Sequence, residues 1–185
     1  MFPHEPAGFT SLTERRFDAK IENGWGDRGD AAFTIQDAAL INYPGVTGPG
    51  LPPISPNNIG QALFKKGTWG GTGPISTGFR VKDHGAFRQL YLSFWIQLSS
   101  NWHGNASGVN KIFHLWIAGG NRVYLNAHGI AANPLKARVH FQGMGIPVPS
   151  ISWNGVPNLG PANASTIVRG KWHNWELLLK ANTPG

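Results

Sequence analysis

Tyr124, His128 and His140 carry groups that can take up and return a proton, and Arg138 one that can hold an anion. They fall in one stretch, RVYLNAHGIAANPLKARVHFQ (122–142), interleaved with Arg122, Asn126, Lys136 and Gln142. β-Elimination of a uronic-acid polymer requires that the substrate carboxylate be neutralised, which Arg, Asn or Gln do by charge and hydrogen bonds. It requires a base for the proton on the carbon beside that carboxylate, and Tyr or His can serve. An acid must then protonate the leaving oxygen, a second task for the same Tyr. Tyr124, His128, His140 and Arg138 are therefore the candidate catalytic residues. Lys111, Arg122, Asn126, Lys136 and Gln142 are candidates for substrate binding. Without turnover the same inventory describes a carbohydrate-binding module, and this is the rival reading.

Position makes the inventory more than a list. Both halves of the stretch alternate polar and apolar residues, the pattern of strands with one face toward a core. Placing His128 opposite Lys136 pairs Asn126 with Arg138, Tyr124 with His140, and Arg122 with Gln142. Val123, Leu125 and Ala127 then meet Phe141, Val139 and Ala137 on the other face. A slip by one residue would bury the whole polar set, so the register is well specified. A solvated sheet face commonly carries Lys and Arg. It usually balances them with carboxylates, because like charges opposed across a ladder destabilise it. This face has none, and an anionic ligand would supply the missing charge.

The rest of the chain sharpens that point. Seven of nine acids lie in the first 37 residues, and residues 84–175 contain no Asp or Glu. From residue 38 onward two acids stand against twelve Lys and Arg, a balance of 12 − 2 = +10. Such a body favours an anionic partner: acidic polysaccharide, nucleic acid or a lipid surface. A glycosidase needs two carboxylates about 5–10 Å apart, and the strand-rich region has none to give. The serine-hydrolase elbow, the zinc-binding His spacings and the phosphate-binding loops are absent as well. No nucleic-acid motif occurs, and the positive charge is not clustered in runs. No apolar run reaches the roughly 18 residues of a membrane span.

Gly and Pro, 25 and 14 residues, punctuate a series of short strands: 90–98, 111–117, 122–128, 136–142 and 172–179. The first places Leu90, Leu92, Phe94, Ile96 and Leu98 on one face. KIFHLWI (111–117) is apolar on both sides and reads as a central strand. A two-residue turn at Gly119-Gly120 would put Lys111, Phe113, Leu115 and Ile117 on the face of Tyr124, whereas a longer loop would reverse that and bring His114 there. Long Pro/Gly-rich connections cover 44–60 and 143–171. The fold expected is all-β, a two-sheet antiparallel sandwich or jelly roll, in a single domain over 1–185 with a polar N-terminal segment, 1–37.

The stretches LYLSFWIQLSSNWHGNASGVNKIFHLW (90–116) and GKWHNWELLLKANTPG (170–185) resemble bacterial concanavalin A-like lectin/glucanase domains of the polysaccharide-lyase-like kind. The pieces that carry the likeness are Leu90–Trp95, Val109–Trp116 and Trp172–Glu176. The resemblance implies a β-jelly-roll and a carbohydrate ligand, in an extracellular or periplasmic setting, although MFPHEPAGFT is no signal peptide. Such domains continue beyond the last of these strands. The expectation is therefore that terminal strands are missing and that an open sheet edge can pair with another copy. The alginate-lyase signatures R-T-E-L-R, Q-I-H and Y-F-K-A-G and the glucanase E-x-D-x-x-E are not found.

Among eight Trp, Trp95, Trp116, Trp172 and Trp175 lie in strands and are expected to pack. Trp69, Trp102 and Trp153 sit among Gly, Ser and Asn, where they could stack on sugar rings at a groove rim. No cofactor is called for, with room left for a structural calcium. The partner expected is an acidic polysaccharide.

Overall fold

The computed structural model describes residues 5–19, 22–27, 33–37, 58–63, 77–79, 81–116, 122–142 and 166–180. Ten strands follow in chain order: β1 (Gly26–Asp27), β2 (Phe33–Asp37), β3 (Asn58–Ala62), β4 (Thr77–Gly78), β5 (Gln89–Gln97), β6 (Val109–Trp116), β7 (Arg122–His128), β8 (Leu135–Gln142), β9 (Thr166–Ile167) and β10 (Trp172–Lys180). One 3-10 turn at Val81–His84 is the only helical element among the described residues, so the fold is all-β, in antiparallel sheets. No helix among them is long and apolar enough to cross a membrane. The chain gathers into two compact units, Met1–Ile96 with Trp172–Gly185, and Gln97–Lys171.

In the first unit β2 pairs with β3, β1 with β4, and β5 with β10. Alternation along β5 sends Tyr91 and Ser93 to one side, where Tyr91 Oη donates to Glu176 at 2.6 Å and Ser93 Oγ to Asn174 at 3.1 Å. Phe94 turns the other way, its ring 5.9 Å from that of Trp175, which is buried. Desolvation first, then the Glu176 carboxylate, pushes the Tyr91 hydroxyl up to about 12. The N-terminal segment closes on Glu22, whose carboxylate accepts backbone N–H groups of Arg16, Phe17, Asp18 and Ala19. Burial alone would raise its pKa, and these four bonds reverse the effect and lower it.

The second unit is a four-stranded sheet in the order β6-β7-β8-β9. β7 and β8 pair as the alternation requires: Arg122 with Gln142, Tyr124 with His140, Asn126 with Arg138, and His128 with Lys136. The opposite face of β7 presents Val123, Leu125 and Ala127, all buried with Leu135, Val139 and Ile167. Each Val, Leu or Ile among them stabilises the fold by about 1.5–3 kcal/mol. The burial does not stop at that face. Every residue from Val123 to Ala127 is buried, so β7 is covered on both sides.

One expectation for β6 is corrected and one alternative is decided. Among the described residues it stands at the end of the sheet order rather than inside it, and Trp116 at its end is 62 % exposed rather than packed. Its facing is that of the longer loop, with His114 on the Tyr124 side. Trp116 pairs with Arg122 and His114 with Tyr124, leaving 117–121 as the connection instead of a two-residue turn. Phe113 and Leu115 oppose Leu125 and Val123 on the apolar face. A bulge between Lys111 and Phe113 then restores Lys111 to the Tyr124 side, opposite Asn126. One extra residue in a strand shifts the two-residue period by one, which is how positions 111, 114 and 116 come to share a face.

Candidate functional site

The site is the polar face of β6, β7 and β8, built entirely within the second unit. That unit holds six Lys and Arg (Lys111, Arg122, Lys136, Arg138, Arg169, Lys171) and no Asp or Glu. Across the face run the rows Trp116–Arg122–Gln142, His114–Tyr124–His140, Lys111–Asn126–Arg138 and Val109–His128–Lys136. The structure thus brings Lys111, Arg122, Tyr124, Asn126, His128, Lys136 and Arg138 onto one side of one sheet. For His140 and Gln142 the backbone pairing is described and the side chains are not.

Contacts concentrate where β6 meets β7. Lys111 Nζ lies 4.5 Å from the centroid of the Tyr124 ring. The His114 ring packs against the same ring at 5.1 Å, tilted by 31°. Arg122 spreads its guanidinium over Trp116, 3.8 Å from the ring centroid. Neither Lys111 nor Arg122 has a hydrogen bond or ion pair among the described residues, and Arg122 Nε is buried without one.

Three cationic or ionisable nitrogen groups without a counter-anion perturb one another. The pKa of Lys111 is lowered by desolvation and then by Arg122. That of His114 is lowered by desolvation, then by Lys111 and Arg122. Tyr124 is raised by burial, with Arg122 working in the opposite direction. His128 is lowered by burial and by Arg138, and its ring lies against the backbone of Gly108. Each His is therefore biased toward the neutral form, and each has an anion to gain.

The expected open trough is corrected at its centre. Tyr124 is 1 % exposed and Asn126 fully buried. Asn126 is also unsatisfied: neither amide atom makes a hydrogen bond. What stands accessible is the β6 margin, with Lys111, His114 and Trp116 exposed. His114 and Trp116 reach this face through the longer connection after β6, and Lys111 through the bulge, which no residue type in the strand announces. At the far side of the face, Lys136 Nζ donates to Thr166 Oγ1 at 2.7 Å, tying β8 to β9.

Trp102 lies apart from this face, in the 99–105 loop, where it helps line a shallow open depression of about 410 Å³ with His103, Ala131 and Arg169. Arg169 anchors that end of the sheet. Its guanidinium donates to the carbonyls of Trp102 (2.7 Å), Asn133 (3.1 Å) and Ala131. Asn110 performs the same service beneath, donating to Ala127 O and Gly129 O while accepting from Asn105 N–H. Trp69 and Trp153 lie outside the described residues. Among the described residues no three His, Asp or Glu gather as a metal site would require.

Comparison of the chain with family models, with curated proteins and with solved structures finds no match, so the assignment of this site rests on its own chemistry.

Proposed function

We propose that the β6–β7 margin binds an acidic polysaccharide, within a β-jelly-roll of the concanavalin A-like kind. The observation that carries the reading is the grouping of Lys111, His114 and Arg122, without a carboxylate in the unit, beside an exposed Trp116 already stacked with Arg122. A carboxylate entering between the ammonium and the guanidinium would relieve like-charge crowding and gain charge-assisted hydrogen bonds. The indole offers an apolar platform for the sugar ring. Binding without turnover is the activity this arrangement favours. A catalytic Tyr must be reachable and easily deprotonated, whereas Tyr124 is buried and its pKa is raised.

β-Elimination is the second reading, favoured by the contact of Tyr124 with both Lys111 and His114. In that scheme Arg138 and Asn126 would neutralise the carboxylate, and His128 or His140 would assist Tyr124. One experiment separates the readings. The protein is run through gels containing alginate, glucuronan, pectate, a neutral glucan or single-stranded DNA, while matched solutions are followed for ultraviolet absorbance of an unsaturated product. Retardation by the uronates without product supports binding. Product formation supports elimination. Equal mobility in uronate and neutral gels, or stronger retardation by DNA, removes the acidic-polysaccharide assignment.

A further inference from the structure

Asn126 is an anomaly that anion binding by Lys111, His114 and Arg122 does not account for. Buried polar groups are almost always hydrogen-bonded, and an amide carries two donors and two acceptor sites. This one is fully buried with both amide atoms unpartnered. An orphaned amide at the centre of a sheet is destabilising, and an apolar residue would serve packing better. Its neighbour suggests why it stands there. Lys111 is the direct cross-strand partner of Asn126, yet its ammonium sits over Tyr124, two residues along β7. The lysine stem therefore starts beside Asn126 and its head ends over Tyr124. Among the described residues one cation–π contact holds its head, and no hydrogen bond or ion pair adds to it.

Resting on the anionic-glycan reading of this face, we infer that Asn126 is a ligand-binding residue that selects uronates, uncovered when an anion draws Lys111 off the Tyr124 ring. An amide presents a donor and an acceptor side by side. It complements a polyuronate, whose carboxylate and free ring hydroxyls offer an acceptor and a donor within one residue's reach. A densely sulfated dextran, with most hydroxyls esterified, presents acceptors almost alone and leaves the amide oxygen unmet. The cations attract either anion; the amide tells them apart.

The test measures binding of polygalacturonate and of dextran sulfate, at one ionic strength, to the wild type, Asn126→Leu and Asn126→Ala. Leucine is close in shape to asparagine and removes the orphaned polar atoms, so its Tm rises by roughly 2–8 °C. Its affinity for polygalacturonate falls about tenfold, as for the loss of one or two hydrogen bonds, while dextran sulfate stays within about twofold. Alanine gives the same change in preference without the thermal gain, because a small cavity offsets it. Variants that keep the wild-type ratio between the two polymers overturn the assignment of Asn126, whatever their Tm. A wild type that binds neither polymer overturns the anion site itself and the inference with it.

Discussion

Replacing Arg122 by Gln should separate affinity from stability, because the structure gives this side chain almost nothing to lose within the fold. It makes no hydrogen bond or ion pair among the described residues. The one ring contact described for it is the cation–π stack on Trp116 at 3.8 Å, worth about 0.5–1 kcal/mol at an exposed ring. Against that loss stands relief of repulsion, since Arg122 depresses the pKa of both Lys111 and His114. Folding stability should therefore change by less than about 1 kcal/mol. Affinity is another matter. A charge pair at about 4 Å is worth about 1 kcal/mol in water and about 4 kcal/mol at a protein surface of effective dielectric 20. A half-buried guanidinium falls between, and about 2 kcal/mol corresponds to a loss of about 30-fold. Calorimetric titration with oligogalacturonate, paired with urea unfolding, reads both quantities. Arg122→Lys should keep the charge, lose the planar fork and fall between wild type and Gln. Raising the salt should narrow all three differences. Unaltered affinity in Arg122→Gln would refute the reasoning, and so would a stability loss above about 2 kcal/mol, which would mark Arg122 as a structural residue.

Three further outcomes are expected. Trp116→Ala should weaken glycan binding severalfold while the protein still melts cooperatively, whereas Trp175→Ala, which empties a buried site, should cost about 3–5 kcal/mol; both are read by thermal melts with a parallel binding assay. Uronate affinity should rise as pH falls from 7 toward 5. The folded pKa values of His114 and His128 lie below the ordinary 6.5; a bound anion raises them, so protons are taken up on binding, a flux that titration in buffers of different ionisation enthalpy detects. Without ligand the same lowered values stabilise the fold above pH 6.5, and this contribution is lost as pH falls through the folded pKa. Gly104→Ala should destabilise by about 2–4 kcal/mol in urea. Its φ is +80°, and a Cβ there would stand 2.9 Å from Asn110 Oδ1 and 3.1 Å from Gly129 O, displacing the amide that holds the carbonyls of Ala127 and Gly129.

The β7–β8 ladder could be read pair for pair, because strict alternation and a short intervening loop leave one register that buries Val123, Leu125 and Val139 together. The strand before it could not. Nothing in the residue types of KIFHLWI reveals an extra residue between Lys111 and Phe113, and a two-residue period carried across it assigns every side chain on one side of the bulge to the wrong face. Trp116 shows the same gap. Large aromatics usually pack, but Trp116 ends a strand that among the described residues is paired on one edge only, and it stays exposed. Burial of Tyr124 and Asn126 was illegible for a third reason. Polarity says what a side chain would prefer, and coverage depends on what the remainder of the chain lays over it.

Arg169 leaves a mark on how this molecule breathes. One guanidinium collects carbonyls from the 99–105 loop and from the 129–134 turn, two segments far apart along the chain. Neither can peel away without stripping a planar cation of part of its shell. Amide protons of Trp102, Ala131 and Asn133 should accordingly exchange with solvent deuterium at rates governed by one shared opening event. Severing the guanidinium would let each loop flicker on its own clock.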